Sequence, residues 1–109
     1  MVKHDMSMVR GDTLAFFVSF KGAVRKYISS LTFSAKTADT VTNYIFSKTL
    51  GDGVTKIDEG LYRVRVAPSD TADIRGGKYV YDLQLGIGED IYTLLKGRFT
   101  IIQDVTYNK

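Results

Sequence analysis

Nucleophile and base chemistry in this sequence would have to be built around one imidazole, because the 109 residues include a single histidine, His4, and no cysteine. The usual Cys–His and Ser–His pairings need a base placed within hydrogen-bond reach of the nucleophile, and a lone histidine beside the N-terminus is a poor start. Two carboxylate pairs, Asp58-Glu59 and Glu89-Asp90, are the other candidates for proton transfer. Each lies beside glycine in a turn, where an exposed acid assists no proton transfer. No catalytic residues, and so no enzyme, are expected.

Ligand and metal motifs lead to the same expectation. Gly86-Ile87-Gly88 follows a strand pattern, but a second strand pattern comes next in place of the helix whose N-terminus would hold a phosphate. Gly51-Asp52-Gly53 lacks the repeated acidic ligands of a calcium loop. No cofactor and no metal site is expected. Lys21, Arg25 and Lys26 with Tyr27 form the nearest approach to a basic, aromatic patch, although a solvated hairpin end accounts for them equally. Arg10-Gly11-Asp12 spells a cell-adhesion tripeptide. A turn explains the same letters without a receptor: glycine gives the backbone latitude, the aspartate bonds back to nearby amides, and Thr13 begins a strand.

The elements that position these residues are read from period two. In Leu14 to Phe20 the sequence LAFFVSF places Leu14, Phe16, Val18 and Phe20 on one face and Ala15, Phe17 and Ser19 on the other. Leu31, Phe33 and Ala35 alternate with Thr32, Ser34 and Lys36. Tyr62, Val64 and Val66 point inward while Arg63 and Arg65 stay in water. Tyr79, Tyr81, Leu83 and Leu85 repeat the pattern, and GIGED then turns the chain into IYTLLKGRFTII as a closing hairpin. In that last arm Gly97 shares the inward parity of Leu95, Phe99 and Ile101, which marks a bulge or the close approach of another backbone. Residues 44 to 50 and 53 to 57 are two further strands joined by the short Gly51-Asp52-Gly53 turn. One helical turn is expected near residues 69 to 74, capped by Ser69 or Asp70, with Ile74 tucked inward and Gly76 as the left-handed residue that ends it. Residues 1 to 7 and 104 to 109 are polar enough to fray or to serve as joins.

About seven antiparallel strands in one domain of about 100 residues describe an all-β, two-sheet sandwich, with a small closed barrel as the structural alternative. The expected core includes Phe16, Val18, Phe33, Val64, Tyr79, Tyr81, Leu83 and Phe99. Hydrophobic residues make up 44% and charged ones 25%, a balance that suits a globular domain rather than a disordered or membrane-embedded chain. No apolar run approaches the roughly 20 residues that span a bilayer, and MVKHDMSM lacks the apolar centre of a secretory signal. The net charge of +3 comes from basic residues scattered along the chain, so neither nucleic acid nor membrane is the expected partner. What remains is surface for other proteins. Phe17 stands on the nominally wet face of its strand, as Arg63 and Arg65 do on theirs, and these three are the candidate partner interface.

The order of motifs also carries a resemblance. RGDT before an alternating strand, an APSDTADI turn, GKYVYDLQL, and YTLLKGRFTI followed by QDVT resemble the immunoglobulin-like domains of tailed-phage and prophage structural proteins over most of residues 9 to 106. These domains are similar to the N-terminal domain of baseplate upper proteins and to related tail, neck and head-decoration domains. The resemblance implies an immunoglobulin-like sandwich that acts as a structural or assembly module by docking on other virion structural proteins, with a homo-oligomer among the arrangements. It implies a virion component assembled in the bacterial host cytoplasm, and the absence of cysteine is compatible with that reducing compartment. Gly77-Lys78-Tyr79-Val80-Tyr81 has the shape of the tyrosine corner of more distant immunoglobulin domains, with Tyr81 where those have cysteine; Tyr79 is then the ring whose hydroxyl reaches the preceding turn. Without cysteine or tryptophan, the core depends on Phe, Tyr, Leu and Val packing. The alternative function is a carbohydrate- or receptor-binding module using Tyr44, Asp52 and Tyr92.

Overall fold

A computed structural model describes residues 2–38 and 43–105. Its strands are β1 (Val2–Lys3), β2 (Met6–Val9), β3 (Leu14–Ser19), β4 (Ser30–Lys36), β5 (Tyr44–Leu50), β6 (Gly53–Asp58), β7 (Leu61–Val66), β8 (Gly77–Ile87) and β9 (Asp90–Ile102). The longer ones are the alternating segments, as expected where one face of each strand is buried and the other is wet. Two layers result. In the first, β1 and β2 lie along β9, which continues through β8 and β4 to β5; in the second, β6, β7 and β3 follow one another. The two are linked because the end of β5 pairs with the start of β6, Thr49 opposite Gly53 and Leu50 opposite Val54.

The inward faces close on an aromatic cluster. Leu31, Phe33 and Ala35 of β4 face Tyr62, Val64 and Val66 of β7, and all six are buried. Phe33 is the hub, its ring centroid 5.2 Å from Phe16 of the second layer, 5.5 Å from Tyr81, 5.8 Å from Phe46 and 6.1 Å from Phe99. Rings at these separations add edge-to-face attraction to the area they remove from water. Val64, Tyr81, Leu83 and Phe99 are buried as expected from parity, whereas Phe16, Val18 and Tyr79 are half-buried at the margin of the core.

Several sequence expectations need correction. Among the described residues there are nine strands where about seven were anticipated, because β1 and β2, in a stretch expected to fray or to serve as a join, pair with β9. Those pairings, like β5 with β6, are parallel, so the sandwich is not wholly antiparallel. Gly51-Asp52-Gly53 does not close a hairpin; it carries the chain from one layer to the other, with positive φ at both glycines (87° and 95°). The helical turn is α1 (Pro68–Thr71), and Asp70 serves it from the third position by accepting the Ala67 N–H at 2.7 Å. Gly76 is not left-handed, and it lies against Gln103. A second, 3-10 turn at Ala23–Lys26 was not anticipated. At the other end, Asp104 is held by Arg10, and residues 106 to 109 fall outside the described part.

Candidate functional site

Register places the three candidate interface residues on one surface. In the β3–β7 pair Phe17 is opposite Arg63 and Ala15 is opposite Arg65, while β6 places Thr55 on the other side of Arg63. Residues directly opposite in an antiparallel pair share a face with Cβ atoms about 5 Å apart. Their partners of the other parity, Phe16, Val18, Val64 and Val66, all turn to the core side, so the outward set is fixed by burial. Phe17 is 65% exposed, and both arginines are exposed. Next to them is a cavity of about 300 Å³ lined by Lys48, Asp52, Gly53, Thr55, Arg63 and Arg65. The Lys48 ammonium is taken by the Asp70 carboxylate at 2.7 Å. Among the described residues no hydrogen bond or ion pair engages either guanidinium of Arg63 or Arg65. Two forked donors beside an exposed phenyl ring are suited to carboxylates on a partly apolar protein surface.

A second polar hollow, of about 170 Å³, opens on the outer face of the first layer between Ser34, Lys36, Tyr44, Asp82 and Lys96. Pairing of Asp82 with Lys96 and with Ser34 brings these residues together. Burial pushes the Asp82 carboxyl above the ordinary carboxylate range, while Lys36, Lys96 and a hydrogen bond from Gln84 pull the other way. The Lys36 ammonium sits 5.0 Å from the centre of the Tyr44 ring. The Ser34 and Ser47 hydroxyls are 2.8 Å apart. Sequence reasoning did not pick out this set, nor Lys48 and Thr55, because only strand register unites residues so distant in the chain.

The remaining candidates are scattered. His4 lies in the link between β1 and β2, where its N–H donates to Lys96 and its carbonyl accepts the Tyr81 hydroxyl. The carboxylate pairs sit in two different exposed turns, and Asp58 accepts the Glu59 N–H at 2.7 Å. Arg25, in the 3-10 turn, is 3.8 Å from Glu59 in an exposed pair. Tyr44 lies opposite Lys36 at one end of β4, whereas Tyr92 pairs with Leu85 at the other, and Asp52 belongs to the turn between layers; the structure does not assemble them into one site. The Tyr79 hydroxyl donates to the Arg75 carbonyl in the preceding turn.

Each letter of the RGD tripeptide has a structural partner. Arg10 Nε is 2.8 Å from Asp104 Oδ1, with both side chains largely covered. The Gly11 N–H donates to Thr71 Oγ1 at 2.9 Å, and Asp12 N–H closes a turn onto the Val9 carbonyl at 3.1 Å. An arginine so held is not extended toward a receptor.

No family model matches the sequence, and no curated protein matches it. Solved structures resemble the fold. An endo-β-1,4-mannanase from Thermotoga petrophila superposes with a TM-score of 0.59 at 9% identity, over 91% of this chain and 18% of that one. The NK cell receptor Nkp44, a triggering partner in natural cytotoxicity, gives 0.50 at 15% identity over 94% and 97% of the two chains. This chain therefore spans less than a fifth of the mannanase. At such identities the likeness concerns the fold alone, which is an immunoglobulin-like two-sheet β-sandwich.

Proposed function

We propose that this chain is a non-enzymatic docking module that binds another protein through the outer face of its second layer. The observation that carries this reading is the Phe17–Arg63 pair: a 65% exposed ring directly opposite a guanidinium, with Arg65 beside it and a cavity adjoining. Contiguous apolar and cationic surface that the fold itself leaves unused is what a partner can cover. Arginine and aromatic side chains are also the types that most often dominate binding energy at protein interfaces. The partner it fits presents carboxylates around an apolar contact. The motif resemblance to tailed-phage structural domains supports a virion protein of a tail, baseplate, neck or head decoration as that partner.

The experiment is electron microscopy of native particles carrying a labelled copy of this protein. Label at one repeated position on the particle is expected for the natural sequence, and loss of that label is expected for Arg63→Glu/Arg65→Glu, whose exposed substitutions leave the core untouched. Particles that never contain the protein, or that hold the reversed variant equally well, would contradict the proposal.

A further inference from the structure

Strand β3 forms one border of the second layer, and its free backbone edge is unlike the other borders of the sandwich. Among the described residues it pairs with β7 alone, in an unbroken six-residue register from Leu14–Val66 to Ser19–Leu61. The sequence of that edge, LAFFVS, contains no charge, proline or glycine. Natural sheets protect such edges with lysine, proline, bulges or very short strands. The other borders here do so: β6 carries Lys56 and Asp58 and a register shift, β5 has a shift opposite the end of β4, and β1 and β2 are separated by the His4–Asp5 link.

The hydrogen-bond phase shows which groups are open. Phe20 N–H donates to Gly60 O at the end of the same ladder, so the hydrogen-bonded positions are the even ones. Leu14, Phe16 and Val18 spend their backbone groups on β7. Ala15, Phe17 and Ser19 therefore direct theirs away from the sheet, and all three residues are exposed.

The geometry points to a second copy of this chain as the occupant of that edge: β3 pairs antiparallel with β3 of the other copy about a two-fold axis through Phe17. That register places Phe17 opposite Phe17, Ala15 opposite Ser19 and Ser19 opposite Ala15. It uses every open N–H and C=O of the three outward residues. It also leaves Leu14, Phe16 and Val18 on the core side in both copies, because an antiparallel two-fold normal to the sheet preserves the faces. No like charges meet, since the strand has none. A partner strand of other sequence could use the same backbone groups, but the uncharged, centred register suits an identical strand without adjustment. Phe17 is common to both proposals, its ring to the docking face and its backbone groups to the free edge, whereas Arg63 and Arg65, which are on β7 and point outward, belong to docking alone.

Sedimentation velocity of the full chain across a concentration series tests it, with no other protein present. The natural sequence is expected to form a dimer. Phe17→Lys sets two like charges across the axis and is expected to weaken that dimer by about tenfold or more, with circular dichroism confirming that the fold is retained. Because the chain has no cysteine, Phe17→Cys reports register cleanly: it is expected to cross-link to itself under mild oxidation. Ala15→Cys is not, its two copies being about 14 Å apart, whereas Ala15→Cys/Ser19→Cys is. Arg63→Glu/Arg65→Glu is expected to leave the dimer intact, which separates this inference from the docking proposal. A monomer at every concentration, a dimer indifferent to Phe17→Lys, or Ala15→Cys cross-linking as readily as Phe17→Cys would overturn it.

Discussion

The carbonyl of His4 occupies the space in which a side chain on Gly97 would begin, well inside contact distance of where the Cβ would stand. This is the backbone approach that Gly97 permits, and it lets β1 and β2 lie along β9. The same link is fastened by the Tyr81 hydroxyl on the His4 carbonyl and by Asp5, which accepts the Arg98 N–H at 2.9 Å. Gly97→Ala is expected to cost about 1–3 kcal/mol in urea unfolding, with faster amide exchange in β1 and β2. Gly86→Ala is expected to cost less, because its nearest obstacle is the rotatable Ser30 hydroxyl rather than a main-chain carbonyl.

Two phenylalanines in different environments separate packing from surface. Phe33 is fully buried at the centre of the aromatic cluster, and Phe33→Ala is expected to cost about 3–5 kcal/mol. Phe17→Ala removes an exposed ring and is expected to change stability by less than about 0.5 kcal/mol. Chemical denaturation of both variants checks the contrast. Similar losses for the two would show that the inner and outer faces of the second layer have been misassigned.

Burial raises the hydroxyl pKa of Tyr62 and of Tyr81, and the nearby Asp5 carboxylate adds to the shift at Tyr81. The folded state thus holds these protons more tightly than the unfolded chain does. Their contribution is whole below the unfolded tyrosine value of about 10 and is lost as pH rises through the higher folded values. Thermal midpoints are expected to fall as the solution is taken above that value. Asp82 has the same sign at acid pH, since burial outweighs the lysines in setting its carboxyl upward. Its ionised form is disfavoured in the fold at neutral pH, so Asp82→Asn is expected to stabilise at pH 7 and to make no difference below about pH 3.

Lys48 and Asp70 tie β5 to the helical turn, with side chains 12% and 16% exposed. Asp70 holds both the Lys48 ammonium and the Ala67 N–H, each at 2.7 Å. Asp70→Ala is therefore expected to cost about 1–3 kcal/mol and more than Lys48→Ala, as read from guanidinium unfolding. Equal costs would mean that the Ala67 bond contributes nothing.

How much of this was legible in the sequence follows from the range of each interaction. Parity alone located β3, β4, β7 and β8, since burying one face imposes a local period. It also chose Phe17, Arg63 and Arg65 as outward-facing, although their adjacency required the β3–β7 register. The strands β1 and β2 left little local signal: they are only two and four residues long, and although Met8 of β2 is buried in the core, what lets them approach β9 is the space at Gly97 on a distant strand. GDG reads alike whether it closes a hairpin or passes between layers, and the inward parity of Lys48, opposite Phe33, makes sense only once Asp70 is beside it. The hollow around Asp82 was invisible for the same reason, being assembled by pairing across three strands.

Site-specific photo-cross-linking in native particles tests the docking face most directly, comparing a photoreactive residue introduced at Thr55, beside Arg63, with one at Tyr92 on the distant end of the first layer. The account predicts a covalent adduct with another protein of the particle from position 55 and none from position 92. Adducts from position 92 alone would contradict it.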